Sequence, residues 1–197
     1  IRSIYGIPND NTLGAGTTIA VVDAFGASTA EVDLQEFSRQ NGLPEITSAN
    51  FEKVDQNGGN NYPPDDTDPN GGWSLEVALD VQAVHMMAPG AKIILVVCNS
   101  ANLDDLLQGV QIAKQKADYI SMSFGGPEGD WISEFEPIFN STTDSFFASS
   151  GDSGFAGGVS YPASSQFVVA VGGTSISTNP DFSLNKELGW SGSGGGC

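Results

Sequence analysis

Residues 17–23, Thr-Thr-Ile-Ala-Val-Val-Asp, decide the fold class of this chain. This short apolar run follows Gly16 and is typical of a buried parallel strand. Beyond it, residues 28–41 carry apolar side chains at helical spacing, begin with a capping-type Ser28 and stop at Gly42. A buried strand that leads directly into a helix is the first half of a βαβ unit, so the pattern predicts an α/β protein.

The same alternation continues along the chain. Three more helices and four more strands are predicted, at residues 74–87, 103–116 and about 133–143 for the helices and 92–98, 119–123, 146–149 and 167–171 for the strands. The Asn-, Asp-, Gly- and Pro-rich stretch from about Val54 to Gly72 is predicted to be a long loop of the kind that often carries function. After Asp181 the sequence shows little regular pattern. The order predicts one domain over residues 1–197, with a mainly parallel sheet flanked by helices and ligands bound beyond the carboxyl ends of the strands.

Composition excludes several classes of protein. Among 197 residues, 7 Lys and Arg stand against 24 Asp and Glu, which gives a formal charge of -17 and a pI near 4.1. No nucleic-acid partner is expected, because the chain would repel phosphates and has no basic cluster. No membrane contact is expected either, since no run of about 18 apolar residues exists. The acidic balance favours an acidic working environment.

Cysteine and histidine are scarce. The two cysteines, Cys98 and Cys197, are too few for a disulfide framework or a C-x-x-C metal site, although one bridge between them stays open. His85 is the single histidine, so a Ser-His-Asp triad would have to use it, with Asp23 at the end of the first strand. However, His85 lies five residues past Asp80, about 140° around the helix. We therefore predict that it is a packing or surface histidine.

Glu76 and Asp80 form the first candidate site. Their i, i+4 spacing puts both carboxylates on one helix face, with Cβ atoms about 5–6 Å apart. Such a pair either faces water or shares a proton. The plain alternative is a solvated acidic face. The apolar Leu79 beside Asp80 and the long polar loop before the helix favour a site next to the core.

Two further segments end strands at the same predicted edge of the sheet. Ser121-Met-Ser-Phe-Gly-Gly126 leaves backbone groups open to pair with an extended peptide, unless it is a plain exit turn. Residues 148–154, Ala-Ser-Ser-Gly-Asp-Ser-Gly, present Asp152 in a glycine-bracketed turn, which is also typical of an ordinary Asx turn or helix cap.

Together these segments resemble, in order and spacing, the sedolisin family of serine-carboxyl peptidases. The resemblance covers nearly the whole chain through Asp68-Pro-Asn-Gly-Gly, Glu76-x-x-x-Asp80, Ala88-Pro-Gly-Ala-Lys-Ile, Ser121-x-Ser-Phe-Gly-Gly-Pro-Glu, Ser150-Gly-Asp-Ser-Gly154, Tyr161-Pro-Ala-Ser-Ser, Ala170-Val-Gly-Gly-Thr174 and Ser191-Gly-Ser-Gly-Gly-Gly. It implies a subtilisin-like three-layer α/β domain, of which residues 1–197 are the N-terminal part, incomplete at the C terminus. Ile1-Arg-Ser-Ile-Tyr-Gly resembles the start of the mature domain, just after the propeptide of a zymogen.

The resemblance also implies roles for single residues. Glu76 corresponds to the general base, Asp80 to its carboxylate partner and Asp152 to the oxyanion-hole donor. The substrate-pairing strand corresponds to Ser123, Phe124, Gly125 and Gly126. Chemically, Glu76 must be ionised to take a serine proton, whereas Asp152 must be protonated to donate, and both are easiest to satisfy in acid.

The family's nucleophilic serine stands in a Gly-Thr-Ser motif beyond the glycine run, past Cys197, and Gly173-Thr-Ser175 lies too early for that role. The family's calcium site also lies in the C-terminal part, so no metal or cofactor is expected in this chain. We expect an acid-acting, secreted or lysosome-like serine endopeptidase that acts on peptides together with a C-terminal chain of the same precursor. The alternatives are an inactive subtilisin-like peptide-binding module and a truncated fragment. Asn140-Ser-Thr142 also fits a glycosylation sequon.

Overall fold

The computed structural model describes residues 1–70 and 72–195, and the chain divides into two compact units. The larger unit consists of Asn11–Ser123 and Ser141–Phe146. The smaller consists of Ile1–Asp10, Phe124–Asn140 and the residues from Phe147 onward. Each is described in turn, and the single domain over residues 1–197 stays a prediction.

The larger unit alternates strands and helices. Numbered along the chain, its elements are β1 (Thr18–Ala24), α1 (Ala30–Asn41), β2 (Phe51–Asp55), α2 (Gly72–Met87), β3 (Lys92–Cys98), α3 (Leu103–Lys114), β4 (Tyr119–Met122) and the first two residues of β6 (Ser145–Ser149). The strand order is β2-β3-β1-β4-β6, and the first four strands are parallel. The predicted βαβ alternation is therefore present.

The central strand β1 is buried on both faces. Residues 20–24 are all buried, as expected where helices cover both sides of a parallel sheet. The strand pairs in register with β3, which places Asp23 beside Val97. On one face, Val77 and Val81 of α2 join the core around Val21. The carboxyl end of β1 is consequently enclosed by packed elements.

On the other face, α3 approaches the sheet closely at Gly109. A Cβ atom added there would overlap the Cys98 Sγ and press against Val22. The absence of a side chain at this position therefore sets how near the helix lies to β1 and β3.

The smaller unit contains short strands and one helix. Its elements are β5 (Gly126–Pro127), α4 (Ile132–Phe139), the rest of β6, β7 (Ser160–Tyr161), β8 (Val168–Val171), β9 (Thr174–Thr178) and β10 (Leu184–Gly189). β8 lies beside β6, β5 pairs antiparallel with β7, and β9 and β10 form an antiparallel hairpin. Tyr161 is fully buried, with ring contacts to Trp131 at 5.5 Å and to Phe139 at 5.9 Å.

Several expected boundaries were wrong. β2 occupies residues 51–55. Its last two residues, Val54 and Asp55, were predicted to belong to the long loop. β2 is an edge strand, and its Glu52 forms ion pairs with Lys92 and Lys116. Because an edge strand carries such charged side chains, its sequence lacks the continuous apolar run of a central strand. β10 lies after Asp181, where no regular structure was expected. The helix expected over about 133–143 ends at Phe139.

The predicted serine cap of α1 was also wrong. Thr29 occupies the cap position without a side-chain hydrogen bond, and Ser28 instead donates its N–H and its hydroxyl to Asp65. Gly42 ends the helix in the left-handed conformation, as predicted.

Candidate active site

The helix α2 presents Glu76 and Asp80 next to its buried face. Val77, Val81 and His85 are its buried side chains, at i, i+4 and i+8. Glu76 and Asp80 each precede one of these by a single residue, so both are only partly exposed. The pair is thus not a solvated acidic face.

Asp80 is held from the end of β4. The Ser123 hydroxyl donates a hydrogen bond to its carboxyl group, while Oδ2 is buried without a hydrogen-bond partner among the described residues. Burial raises the pKa of Asp80 to about 6. The hydrogen bond from Ser123 lowers this pKa, and the charge of Glu76 raises it further. Asp80 therefore holds a proton in weak acid.

Asp23 is the third member of this group. It is 0% exposed, and neither carboxyl oxygen has a hydrogen-bond partner in the part of the chain that the structure describes. Burial, followed by the charges of Asp80 and Glu76, raises the pKa of Asp23 well above its usual range. We refer to Asp23, Glu76 and Asp80 as the carboxyl triad. Carboxyl groups that interact this closely titrate as one unit.

The sequence indicates a catalytic role for Asp23 only in a histidine-dependent triad. The structure brings it together with the two carboxylates of α2 instead. Its position at the carboxyl end of a central parallel strand was the available signal, because ligands in open α/β sheets bind at that edge.

An open cleft of about 480 Å³ lies next to the carboxyl triad. Its walls are formed by Phe25, Asp66, Asp68, Gly72, Trp73, Glu76 and Ser123. Phe25 adopts a left-handed backbone conformation (φ 62°), which is uncommon for a bulky residue and often marks a functional site. Glu76 therefore faces a space that can hold a ligand, whereas Asp23 is sealed from solvent.

His85 lies in the core, so of the predicted packing or surface positions it takes the packing one. It is 1% exposed, and its Nε2 lies 3.1 Å from the Pro44 carbonyl oxygen. The charged groups that act on Asp23 are the carboxylates Asp80 and Glu76. This environment argues against the Asp23–His85 alternative.

In the smaller unit, Asp152 is exposed in the turn after β6. Gly151 (φ 103°) and Gly154 (φ 59°) bracket it, both in conformations that favour glycine. Its assigned role stays a prediction.

The predicted substrate strand starts at Ser123 in the larger unit and continues into the smaller one. Phe124 is buried and Gly125 exposed. A Cβ at Gly125 would overlap the Ser160 hydroxyl, and Gly126 pairs with Tyr161. One edge of this segment at Gly126 is thus already paired within its own unit.

Among residues 1–70 and 72–195, no group of three or more His, Cys, Asp or Glu side chains is arranged to hold a metal ion. Nor is any described helix long and apolar enough to cross a membrane.

Burial, with the charges of Asp23 and Asp105, raises the pKa of the buried Cys98 to about 12. Cys197, its possible disulfide partner, lies outside the described residues.

A mainly parallel sheet, with an aspartate at the end of its central strand and two acidic residues on α2, fits a subtilisin-like α/β protein. The model of the subtilase family matches residues 14–191, and the chain belongs to that family.

Individual relatives place it more closely. The chain is 30% identical over 182 residues to kumamolisin of Bacillus sp. (strain MN-32), with 83% of this chain and 31% of that protein covered. It is 28% identical over 202 residues to sedolisin of Pseudomonas sp. (strain 101), with 89% and 33% covered. The chain thus spans about a third of the length of these relatives. The predicted resemblance to the sedolisin family is confirmed.

Solved structures agree. The serine-carboxyl proteinase sedolisin of Pseudomonas, in complex with two molecules of pseudo-iodotyrostatin, matches with a TM-score of 0.80 and 28% identity, over 96% of this chain and 56% of that chain. A cold-adapted subtilisin-like serine proteinase matches with a TM-score of 0.54 and 21% identity, over 89% of this chain and 61% of that chain, which shows the fold alone. The predicted subtilisin-like fold class is confirmed.

Proposed function

We propose that this chain supplies the acidic catalytic groups of an acid-acting serine-carboxyl endopeptidase. The observation that carries the proposal is the carboxyl triad, in which two carboxyl groups with raised pKa values, Asp23 and Asp80, adjoin Glu76 at the wall of a cleft. Perturbed carboxyl groups that converge beside a cleft are typical of catalytic sites.

In the proposed reaction, a serine outside residues 1–197 attacks the carbonyl carbon of the peptide bond. Glu76 takes the serine proton as the new C–O bond forms, and it then gives that proton to the leaving amine as the C–N bond breaks. Water hydrolyses the resulting acyl-enzyme by the same route. Asp80 is proposed as the carboxylate partner of Glu76: in its protonated form, which predominates below pH about 6, it places no like charge beside the base.

Asp152 is proposed to bind the oxyanion. A protonated carboxyl donates a hydrogen bond to the developing charge, whereas an ionised one only accepts. Its exposed position in a glycine-bracketed turn supports this role. Ser123 to Gly126 is proposed to pair with the substrate, supported by the place of Ser123 in the cleft wall.

A C-terminal segment of the same precursor is proposed to carry the nucleophile and the calcium site. Large apolar side chains that the smaller unit leaves exposed support this partner, namely Val169, Val171, Ile176, Leu184, Leu188 and Trp190. Large exposed apolar patches generally mark interaction sites. The acidic composition supports secretion or an acidic compartment as the place of action.

The test is cleavage of a denatured protein by the complete precursor between pH 3 and pH 8. We expect activity in acid, and Glu76→Ala or Asp80→Ala should lower turnover by about 10² or more. Glu45→Ala, an exposed glutamate of the same unit, is the matched control. Peptide binding without turnover would instead support the inactive module, and unchanged turnover in Glu76→Ala would exclude the base role.

A further inference from the structure

We propose that Asp66 is a positioning residue, which holds the first turn of α2 and thereby Glu76. The structural part of this inference stands by itself. Its catalytic consequence rests on the proposed function.

The contact that carries the inference joins the long loop to the start of the helix. The Trp73 N–H donates to Asp66 Oδ2 at 2.9 Å. The first N–H groups of a helix have no intrahelical partner, so an acceptor at this point stabilises the first turn. Glu76 follows Trp73 by three residues, so it lies about one helical turn beyond the residue that this bond holds.

The close approach of Asp66 to the helix depends on Gly72. This residue has a φ of 43°, a conformation that glycine adopts most easily, and a Cβ there would overlap Asp66 Oδ2. The loop carboxylate and the helix start are therefore fitted to each other.

The loop is itself anchored just before Asp66. The neighbouring Asp65 accepts the N–H of Ser28 at 2.9 Å and also its hydroxyl. One residue earlier, the Pro64 carbonyl accepts the N–H of Gly26 at 2.8 Å. Both partners come just after β1, which carries Asp23. The same loop thus connects the Asp23 end of β1 to the turn that carries Glu76.

The orientation and charge state of Asp66 suit this role. Its Oδ1 accepts the N–H of Asp68 at 3.2 Å, which fixes the plane of the carboxylate. The Trp73 N–H lowers the pKa of Asp66 from its ordinary value. Asp66 also lines the cleft with Glu76, so a shift of the loop would reach the site directly.

The kinetic test compares Asp66→Ala with Asp66→Asn in the complete precursor. The amide oxygen of Asn still accepts a hydrogen bond, and Asn is as good a cap as Asp. We expect Asp66→Ala to lower kcat by about tenfold with KM nearly constant, because small displacements of a catalytic group are costly. Asp66→Asn should keep at least about half of kcat. Asp104→Ala, at the exposed start of α3, is the control.

Hydrogen exchange of the segment 72–80 gives a second measurement that needs no activity. We expect faster exchange in Asp66→Ala and wild-type exchange in Asp66→Asn and Asp104→Ala. If Asp66→Ala does not fold, Asp66→Glu replaces it, since the longer side chain displaces the carboxylate.

The two measurements separate the two proposals. A wild-type protein without peptidase activity contradicts the proposed function, while exchange still tests the contact. Unchanged hydrogen exchange in Asp66→Ala overturns the positioning role. Faster exchange with an unchanged kcat in an active enzyme overturns it too. An Asn variant as impaired as the Ala variant overturns it as well.

Discussion

The Ser123 hydroxyl donates a hydrogen bond to the carboxyl group of Asp80 and so ties the end of β4 to α2. This bond opposes the effect of burial on Asp80, whose pKa is nevertheless raised to about 6. It also joins the first residue of the predicted substrate strand to the carboxyl triad. A change in the position of Ser123 at the cleft wall would therefore change the pKa of Asp80.

Ser123→Ala should raise the pKa of Asp80 further, because it removes a hydrogen bond that favours the ionised form. The measurement is the carboxyl carbon resonance of Asp80, followed by NMR between pH 4 and pH 8. Ser121→Ala, two residues earlier on β4, is the control. A pKa that stays constant or falls in Ser123→Ala would show that the bond has no influence on Asp80.

Asp80→Asn should weaken the pH dependence of stability. The folded-state pKa of Asp80, about 6, exceeds the ordinary value of 3.8, so the proton binds the folded state more tightly. This stabilisation is fully present below pH about 4 and is lost as the pH rises through about 6. We expect the wild-type free energy of unfolding to fall over this range by up to about 3 kcal/mol from this group.

Urea denaturation at pH 4, 5, 6 and 7 measures the effect. Asp80→Asn should show a smaller decline, with a residual slope from Asp23, whose pKa is also raised. Asp104→Asn, on the exposed start of α3, should follow the wild type. If the free energy of unfolding falls equally with pH in Asp80→Asn and in the wild type, the raised pKa of Asp80 is contradicted.

Asp152→Asn should retain part of the peptidase activity and move its optimum towards neutral pH, because an amide donates a hydrogen bond at any pH. Asp152→Ala should lower kcat by about 10²–10³. The measurement is the pH profile of kcat/KM in the complete precursor, with the neighbouring exposed Ser153→Ala as the control. An Asn variant with the wild-type profile would exclude Asp152 as the donor.

Gly109→Ala should destabilise the larger unit by about 1–3 kcal/mol, because the new methyl group overlaps the Cys98 Sγ and presses on Val22. In an open helix the same change is stabilising, so the sign is diagnostic. Urea denaturation measures it. The double variant Gly109→Ala, Cys98→Ala should recover part of the lost stability. If it recovers none, contact with the Cys98 Sγ is not the cause of the destabilisation.

The sequence predicted the larger unit well and the smaller unit less well. β3 matches its predicted range, because a buried strand carries a continuous apolar run. α2 starts within two residues of its predicted first residue. Three of the five residues of β2 are charged, and the side chains of β9 and β10 are exposed. Their strand character depends on pairing with distant residues, which periodicity does not report.

The sequence by itself determined the order of strands and helices, the family resemblance and the spacing of Glu76 and Asp80, because these depend on neighbours within a few turns. Only the tertiary structure decided that Asp23 joins those two carboxylates and that Asp66 caps the helix that carries them. The first contact joins segments far apart along the chain, and the second spans seven residues of an irregular loop that no periodic pattern describes. They follow from how α2 and its loop pack against the end of β1, where burial and mutual charge change the chemistry of each carboxyl group.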